Sequence, residues 1–315
     1  MISPKKFDTM LIILNPIAGR GKAAREQSRI EQFFTEREQT FKLIQTATQG
    51  DAQRLLSTYP LTEKMLVVAA GEDGTCNEVV NGIVSRSLPT PPLFGVIPVG
   101  RGNDFAFNAG IPETVPQALQ ALINCRTIPL DVGIVKGGFF PEGRYFINGV
   151  GVGFDTKVGF EAAKMKIKSG FSYVLGALIT VIKYEPSPVL EIRYDDHREL
   201  MPAAIVSIMN GRRMGGSFIM GPHALINDGA FDICIVRHQL SRLKLLNIVL
   251  KYPKGTQGNY EGVTMGRAKQ FSLKALEGGM ASHCDGETVC YDGKELCITV
   301  IPQALRLVSS TGSEA

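Results

Sequence analysis

Short apolar runs separated by turn residues dominate the first part of the chain, and their spacing alternates between strand-like and helical periods. Residues 10–14 (MLIIL) predict a buried strand, and Asn15-Pro16-Ile17-Ala18-Gly19-Arg20-Gly21-Lys22 closes it before a helical pattern through Ile30, Phe33 and Phe34. Residues 41–45 predict a second strand ending at Thr46, and 51–59 a second helix. A further apolar run, 65–70 (MLVVAA), has the length and branching of a strand buried on both faces. It breaks at Gly71-Glu72-Asp73-Gly74-Thr75, after which Val79, Val80 and Ile83 stand at helical spacing. A fourth strand over 93–99 breaks at Gly100-Arg101-Gly102-Asn103-Asp104; a helix over 116–124 and a strand over 127–135 carrying Asp131 follow.

From about Gly133 the texture changes to strand-like runs at 145–150, 189–194, 203–209, 230–236, 262–268, 270–276 and 295–301. The pattern therefore predicts an α/β fold followed by β structure. Residues 1–133 are expected to form a doubly wound α/β domain, with 303–315 as a candidate return to it, and 134–302 a mainly antiparallel β domain. A helical insert is expected at 160–168, basic through Lys164, Lys166 and Lys168, and at 171–182, an apolar segment. Those dozen residues are too few to span a bilayer, which takes about 20.

Composition narrows the classes. Of 315 residues, 44% are hydrophobic and 20% charged, enough apolar content for two packed domains. The net charge of +4, from 34 basic and 30 acidic residues, speaks against nucleic acid as a partner. Cys76, Cys125, Cys234, Cys284, Cys290 and Cys297 form no CxxC pair, so zinc is not expected, and reduced thiols with no visible signal peptide suit a cytoplasmic setting.

The candidate chemistry lies at the strand ends. A turn that feeds a helix N-terminus favours phosphate, but Asp73 would repel it, so Asp73 is read as a ligand of magnesium or water that bridges to phosphate. Asp104 and Asp131 recur at comparable strand ends. The loop after the first strand is not a Walker A loop, because Gly19 and Gly21 are too close and Ala23 follows the lysine. The second Gly-rich turn has Phe105 where a dinucleotide fingerprint needs Gly or Ala. Read alone, Asp285-Gly286-Glu287 is a hairpin turn.

Taken together, NPIAGRGK, GEDGTCNEVVNG, IPVGRGNDFA, IPLDVG, NGRRMGGSFIMGPHALINDGAFD and DGE resemble the diacylglycerol kinase catalytic-domain family, in particular its soluble bacterial lipid kinases. The resemblance covers nearly the whole chain. It implies a two-domain fold like that of NAD kinases, with 1–133 as an α/β nucleotide-binding domain and 134–302 as a β-sandwich for the lipid substrate, ATP and Mg2+ as cofactors, and transfer of the ATP γ-phosphate to a lipid hydroxyl. Diacylglycerol is the first expectation. A kinase for another lipid (phosphatidylglycerol or sphingosine-like), an NAD kinase, and a catalytically impaired nucleotide-binding regulatory protein are the alternatives.

The resemblance also assigns residues. Nucleotide contacts fall on Asn15, Pro16, Ala18, Gly19, Thr46, Gly71, Asp73, Gly74, Thr75 and Asn77, with Arg101, Asp104 and Asp131 completing the phosphate and metal surroundings. Glu287 is the implied base with Asp285 beside it, and Asp228 is the implied ligand of a structural magnesium, joined by the carbonyls of Leu225 and Ala230. The implied partner is a membrane lipid reached from the bilayer surface by a cytoplasmic, peripheral protein; a homodimer is left open. Two positions depart from the family pattern. Glu72 stands for a glycine and Arg101 for a threonine, and Arg101 is read either as a phosphate ligand or as a partner for Glu72.

Overall fold

The computed structural model describes residues 7–154, 156–157, 188–237 and 241–310. The insert expected at 160–168 and 171–182 lies outside the described residues. The chain divides into two compact units, Met1–Asp131 with Gln303–Ala315, and Val132–Pro302.

In the first unit β1 (Thr9–Leu14), β2 (Phe41–Gln45), β3 (Met65–Gly71) and β4 (Leu93–Pro98) form a parallel sheet in the order β4-β3-β1-β2. The connections run through α1 (Ala18–Thr35), α2 (Asp51–Thr58) and α3 (Asp73–Val84), followed by α4 (Asp104–Asn108) and α5 (Val115–Asn124). Every residue of β3 is buried, as its apolar run predicts, because it lies between β1 and β4 and both faces are covered. The chain leaves β1 toward β2 on one side and returns through α2 to β3 on the other. The strand order therefore reverses between β1 and β3, the place where open α/β sheets bind ligands beyond the strand ends.

The second unit is antiparallel. Its strands are β5 (Thr127–Gly137), which enters from the first unit, β6 (Phe140–Phe146), β7 (Gly149–Gly153), β8 (Val189–Tyr194), β9 (His197–Met209), the short β10 (Arg213–Met214) and β11 (Phe218–Ile219), β12 (Phe231–Arg237), β13 (Val263–Ala268), β14 (Gln270–Ala275), β15 (Met280–Cys284), β16 (Glu287–Gly293) and β17 (Glu295–Val308). The long β9 pairs with β8 through residues 197–202, and through its later residues with β7 and β12, so one strand serves both layers of a sandwich. Along β12, Phe231, Ile233 and Ile235 enter the core between the layers, while Cys234 and Val236 face a second cluster. That second cluster is built with Leu245, Ile248 and Tyr252, from α6 (Arg242–Val249) and the turn after it. The period-2 alternation is therefore apolar on both faces where a helix covers the outer one.

Three sequence expectations change. The strand expected over 145–150 is two strands broken at Ile147–Asn148, because the carboxylate of Asp285 takes the N–H groups there. The strand expected to end at 301 continues as β17 to Val308, past a left-handed Gln303. Its Leu307 pairs in parallel with Phe94 of β4. Finally, α6 was not expected.

Candidate active site

The loop after β1 and the turn after β3 meet at the strand-order reversal. Asn15 donates its backbone N–H to the Ala70 carbonyl (3.0 Å) and its side-chain amide to Thr75 Oγ1 (3.3 Å). Its Oδ1 accepts the N–H of Ile17 (3.2 Å). Gly19, Arg20 and Gly21 all have left-handed backbone, with φ of 61°, 60° and 79°, so the first turn of α1 is a loop. Gly19 is required there, because a Cβ would lie 2.2 Å from the Val99 carbonyl oxygen. The Gly19 N–H donates to Glu72 Oε1 (3.1 Å), which joins the two loops through a side chain. Pro16 and Ala18 lie in the same loop, and Thr46 N–H donates to Leu14 O (2.9 Å) at the end of the neighbouring strand.

Asp73 opens α3 and turns both carboxylate oxygens to the start of α4. Oδ2 accepts the N–H of Asp104 (3.1 Å) and Oδ1 that of Phe105 (2.8 Å). It thereby caps a helix whose own N-cap residue, Asn103, makes no side-chain cap bond. Asp104 is buried, and Asp131, fully buried, accepts the Gln303 N–H on Oδ1 (2.7 Å). Among the described residues no group of three or more His, Cys, Asp or Glu side chains stands ready to hold a metal. Asp73 and Asp131 are thus held in place as acceptors of backbone N–H groups. Gly71 and Gly74 complete the turn, and space is open where a Cβ would be added at Gly74. Asn77, expected among the nucleotide contacts, is fully buried and accepts the Asn81 amide on Oδ1 (3.0 Å), because its position falls on the packed side of α3.

The two departures are neighbours. Arg101 Nε lies 3.8 Å from Glu72 Oε1, with both side chains part-exposed. The Glu72 side chain fills the space that Gly100 leaves, since a Cβ on Gly100 would be 2.2 Å from Glu72 Cγ. Arg101 thus stands within ion-pair distance of Glu72, as one of its two readings expects.

In the second unit Asp285 and Gly286, with φ of 46° and 85°, form the two-residue turn between β15 and β16. This is a type I′ geometry, which Asp-Gly suits. The Asp285 carboxylate, which the resemblance puts beside Glu287, is taken up by the backbone. It accepts three backbone N–H groups, from Ile147 (2.8 Å), Asn148 (2.9 Å) and Gly149 (3.0 Å), because the break between β6 and β7 leaves those donors without strand partners. Glu287 meets a buried arginine side on: Arg144 Nη2 donates to Oε1 (2.9 Å), and Nε lies 2.8 Å from Oε2. Burial holds the His283 imidazole down at about 4 and pushes the Cys284 thiol up.

Near the Asn227-Asp228-Gly229 loop, Asp228 Oδ1 accepts the Ala230 N–H (3.2 Å) and Oδ2 pairs with Arg267. Buried Asp232 lies 3.7 Å from the same guanidinium, and its Oδ2 has no hydrogen-bond partner. Desolvation pushes its carboxyl up, partly offset by Arg267. Two carboxylates face one guanidinium, and one buried Asp232 oxygen is left unsatisfied. The Asp228 carboxylate is a hard oxygen donor of the type a divalent cation takes.

Two family descriptions tile the chain. Residues 9–135 match the diacylglycerol kinase catalytic domain, and 148–309 match the YegS C-terminal NAD kinase beta sandwich-like domain. A diacylglycerol kinase of Bacillus subtilis (strain 168) is 32% identical over 282 residues, 88% of each chain. The chain belongs to the diacylglycerol kinase and YegS lipid kinase family. Its similarity to another member, the "Probable lipid kinase YegS-like" of Klebsiella pneumoniae (strain 342), is 30% identity over 305 residues, 95% of each chain. The fold is also that of a solved diacylglycerol kinase from Bacillus anthracis str. Sterne, at a TM-score of 0.72 and 21% identity, over 97% of this chain and 98% of that one.

As a lipid kinase of this family, the protein brings together Asn15, Gly19, Gly71, Asp73 and Thr75 at one end of its parallel sheet. Sequence reasoning missed Arg144. A lone arginine in a strand, 143 residues from its partner, leaves no local signal.

Proposed function

We propose that the protein transfers the γ-phosphoryl group of ATP to the free hydroxyl of diacylglycerol, giving phosphatidic acid. The observation that carries this reading is the Arg144–Glu287 pair on a rigid hairpin. General-base catalysis needs a carboxylate of fixed direction, and the two guanidinium contacts hold Glu287 while each oxygen keeps a second lone pair for the hydroxyl proton. Asp285 is committed to backbone donors, so proton removal falls to Glu287, and Asp285 is a positioning residue.

In this reading the loops of Asn15–Gly19 and Gly71–Thr75 take the nucleotide, with Thr46 at their edge and Arg101 beside the phosphates. Magnesium, when bound with the nucleotide, neutralises phosphate charge through its own waters, which agrees with aspartates that need not ligate it directly. Asp73, Asp104 and Asp131 shape that surround. A structural magnesium would be held by Asp228 with the Leu225 and Ala230 carbonyls and would supply positive charge near Asp232. The lipid is reached from a membrane surface by a cytoplasmic, peripheral enzyme. The name of the Bacillus subtilis relative supports diacylglycerol as the acceptor.

The test is incubation of wild type and Glu287→Gln with radiolabelled ATP, magnesium and a panel of lipids in mixed micelles. Labelled phosphatidic acid is expected from the wild type. The variant should lose roughly 10²- to 10⁴-fold in turnover, with nucleotide affinity nearly unchanged. Near-normal turnover by the variant overturns the role of Glu287, and preference for another lipid in the panel overturns the assignment of the acceptor.

A further inference from the structure

Helix α6 (Arg242–Val249) has two faces that its fold does not treat alike. Leu245, Ile248, Val249 and, one turn on, Tyr252 are buried in the cluster beneath β9 and β12. On the opposite side Leu243 and Leu250 are 74% and 54% exposed. They are seven residues apart, so they lie one above the other along the crest of the helix. Lys244 and Lys251 repeat the same spacing on one flank, and Lys254 follows in the next turn. No acidic residue occurs between Asp232 and Glu261, a stretch that also contains Arg237 and Arg242.

Neither feature serves the helix itself. Exposed leucines contribute nothing to its packing, and basic residues in a first turn capped by Ser241, with no acid there, oppose the helix dipole. Aligned leucines bordered by lysines are what a helix needs to lie in the plane of an anionic bilayer, with its crest among the acyl chains and its flank at the headgroups.

We propose that the crest of α6, formed by Leu243 and Leu250 and flanked by Lys244 and Lys251, is the surface through which this kinase docks on an anionic lipid bilayer. The charge complementarity of an acid-free stretch commits the surface to negatively charged lipid. The inference deepens the lipid-kinase reading and rests on it only for the reason to visit a membrane.

The chain contains no tryptophan, so Leu250→Trp introduces a single tryptophan, on the crest, whose emission can be excited apart from that of the tyrosines. Its emission should shift to the blue with vesicles of phosphatidylglycerol and phosphatidylcholine, less so in high salt, and not with phosphatidylcholine alone. In flotation assays Leu243→Gln with Lys244→Gln should bind the anionic vesicles about tenfold more weakly or worse. Its melting temperature and its turnover of a monomeric short-chain diacylglycerol should match wild type. Wild-type vesicle binding by the double variant overturns the proposal, as does an unshifted emission. So does a crest that proves to bury itself in a second copy, seen as a dimer that the double variant dissociates without loss of vesicle binding. If no lipid is phosphorylated but vesicle binding still depends on the crest, the proposed function fails and the docking surface stands.

Discussion

Asp73 and Asp285 stand at the mouths of two turns, and each reaches past its own neighbours to the backbone of a distant segment. Asp73 spans 31 residues to hold two N–H groups at the start of α4, and Asp285 spans up to 138 to hold three between β6 and β7. The turn around Asp73 is part-exposed, glycine-rich and open at Gly74, whereas Asp285 is buried in a closed hairpin. One carboxylate ties loops together and leaves room between them. The other removes freedom from the strand end next to a prospective base. A kinase needs both properties, since its nucleotide loops must admit a large anion while its base must keep one direction.

The comparison is broken most severely at the closed turn. Asp285→Ala leaves three N–H groups without their acceptor, which at about 1–3 kcal/mol for each unsatisfied group amounts to roughly 4 kcal/mol after relaxation. The melting temperature should fall by about 10 °C in a calorimetric scan. A loss of only a degree or two would show that water replaces the carboxylate and that the hairpin is not locked by it. Asp73→Asn keeps one acceptor oxygen and loses the other, so about 1–2 kcal/mol of stability should go. The larger consequence is weaker ATP binding by titration calorimetry, and unaltered affinity would detach the α4 cap from the nucleotide loops.

Acid should also find the second unit first. The folded-state pKa of His283, about 4, lies below its ordinary value of 6.5, so the unfolded chain takes up the proton first. This contribution to stability is complete above about 6.5 and is lost as pH falls toward 4. Thermal melts of wild type should fall through that window, and His283→Gln should flatten the fall; equal slopes would place the sensitivity elsewhere. The smallest effect belongs to the open turn. Glu72 and Arg101 are part-exposed and 3.8 Å apart, so their coupling should stay below about 1 kcal/mol. In a double-mutant cycle on ATP affinity, Arg101→Thr alone should weaken binding by exposing the phosphates to Glu72, and Glu72→Gly added to it should restore binding. Strict additivity would make the two residues independent.

Fold class was legible because its signals are local. The uninterrupted run of β3 and the alternation of strands with helices require a parallel sheet, and the short alternating runs after Gly133 require an antiparallel one. The turns were legible for the same reason, since glycine and aspartate at strand ends permit few backbones. What the carboxylates do there was not legible. The three donors of Asp285 belong to a strand break that the apolar run 145–150 conceals, and Arg144 meets Glu287 only because β6 and β16 lie in the same unit. The helix α6 was overlooked although Leu245, Ile248, Val249 and Tyr252 stand at helical spacing, because the lysines and leucines of its outer face blur that period.

The return of β17 has a consequence for the timing of synthesis. Its Leu307 extends the parallel sheet beside β4, and around it Gln303 N–H meets Asp131 while Ser309 N–H meets the Arg126 carbonyl. Asp131 and Gln303 are 172 residues apart, and at a ribosomal pace of 5–20 residues per second the first unit waits roughly 10–35 s for its own edge. During that interval β4 presents an unpaired strand edge, open to pairing with another chain. The nascent protein should therefore call on a chaperone at the N-terminal unit, and a ribosome halted before residue 303 should leave that unit sensitive to protease even after every residue up to Asp131 has emerged.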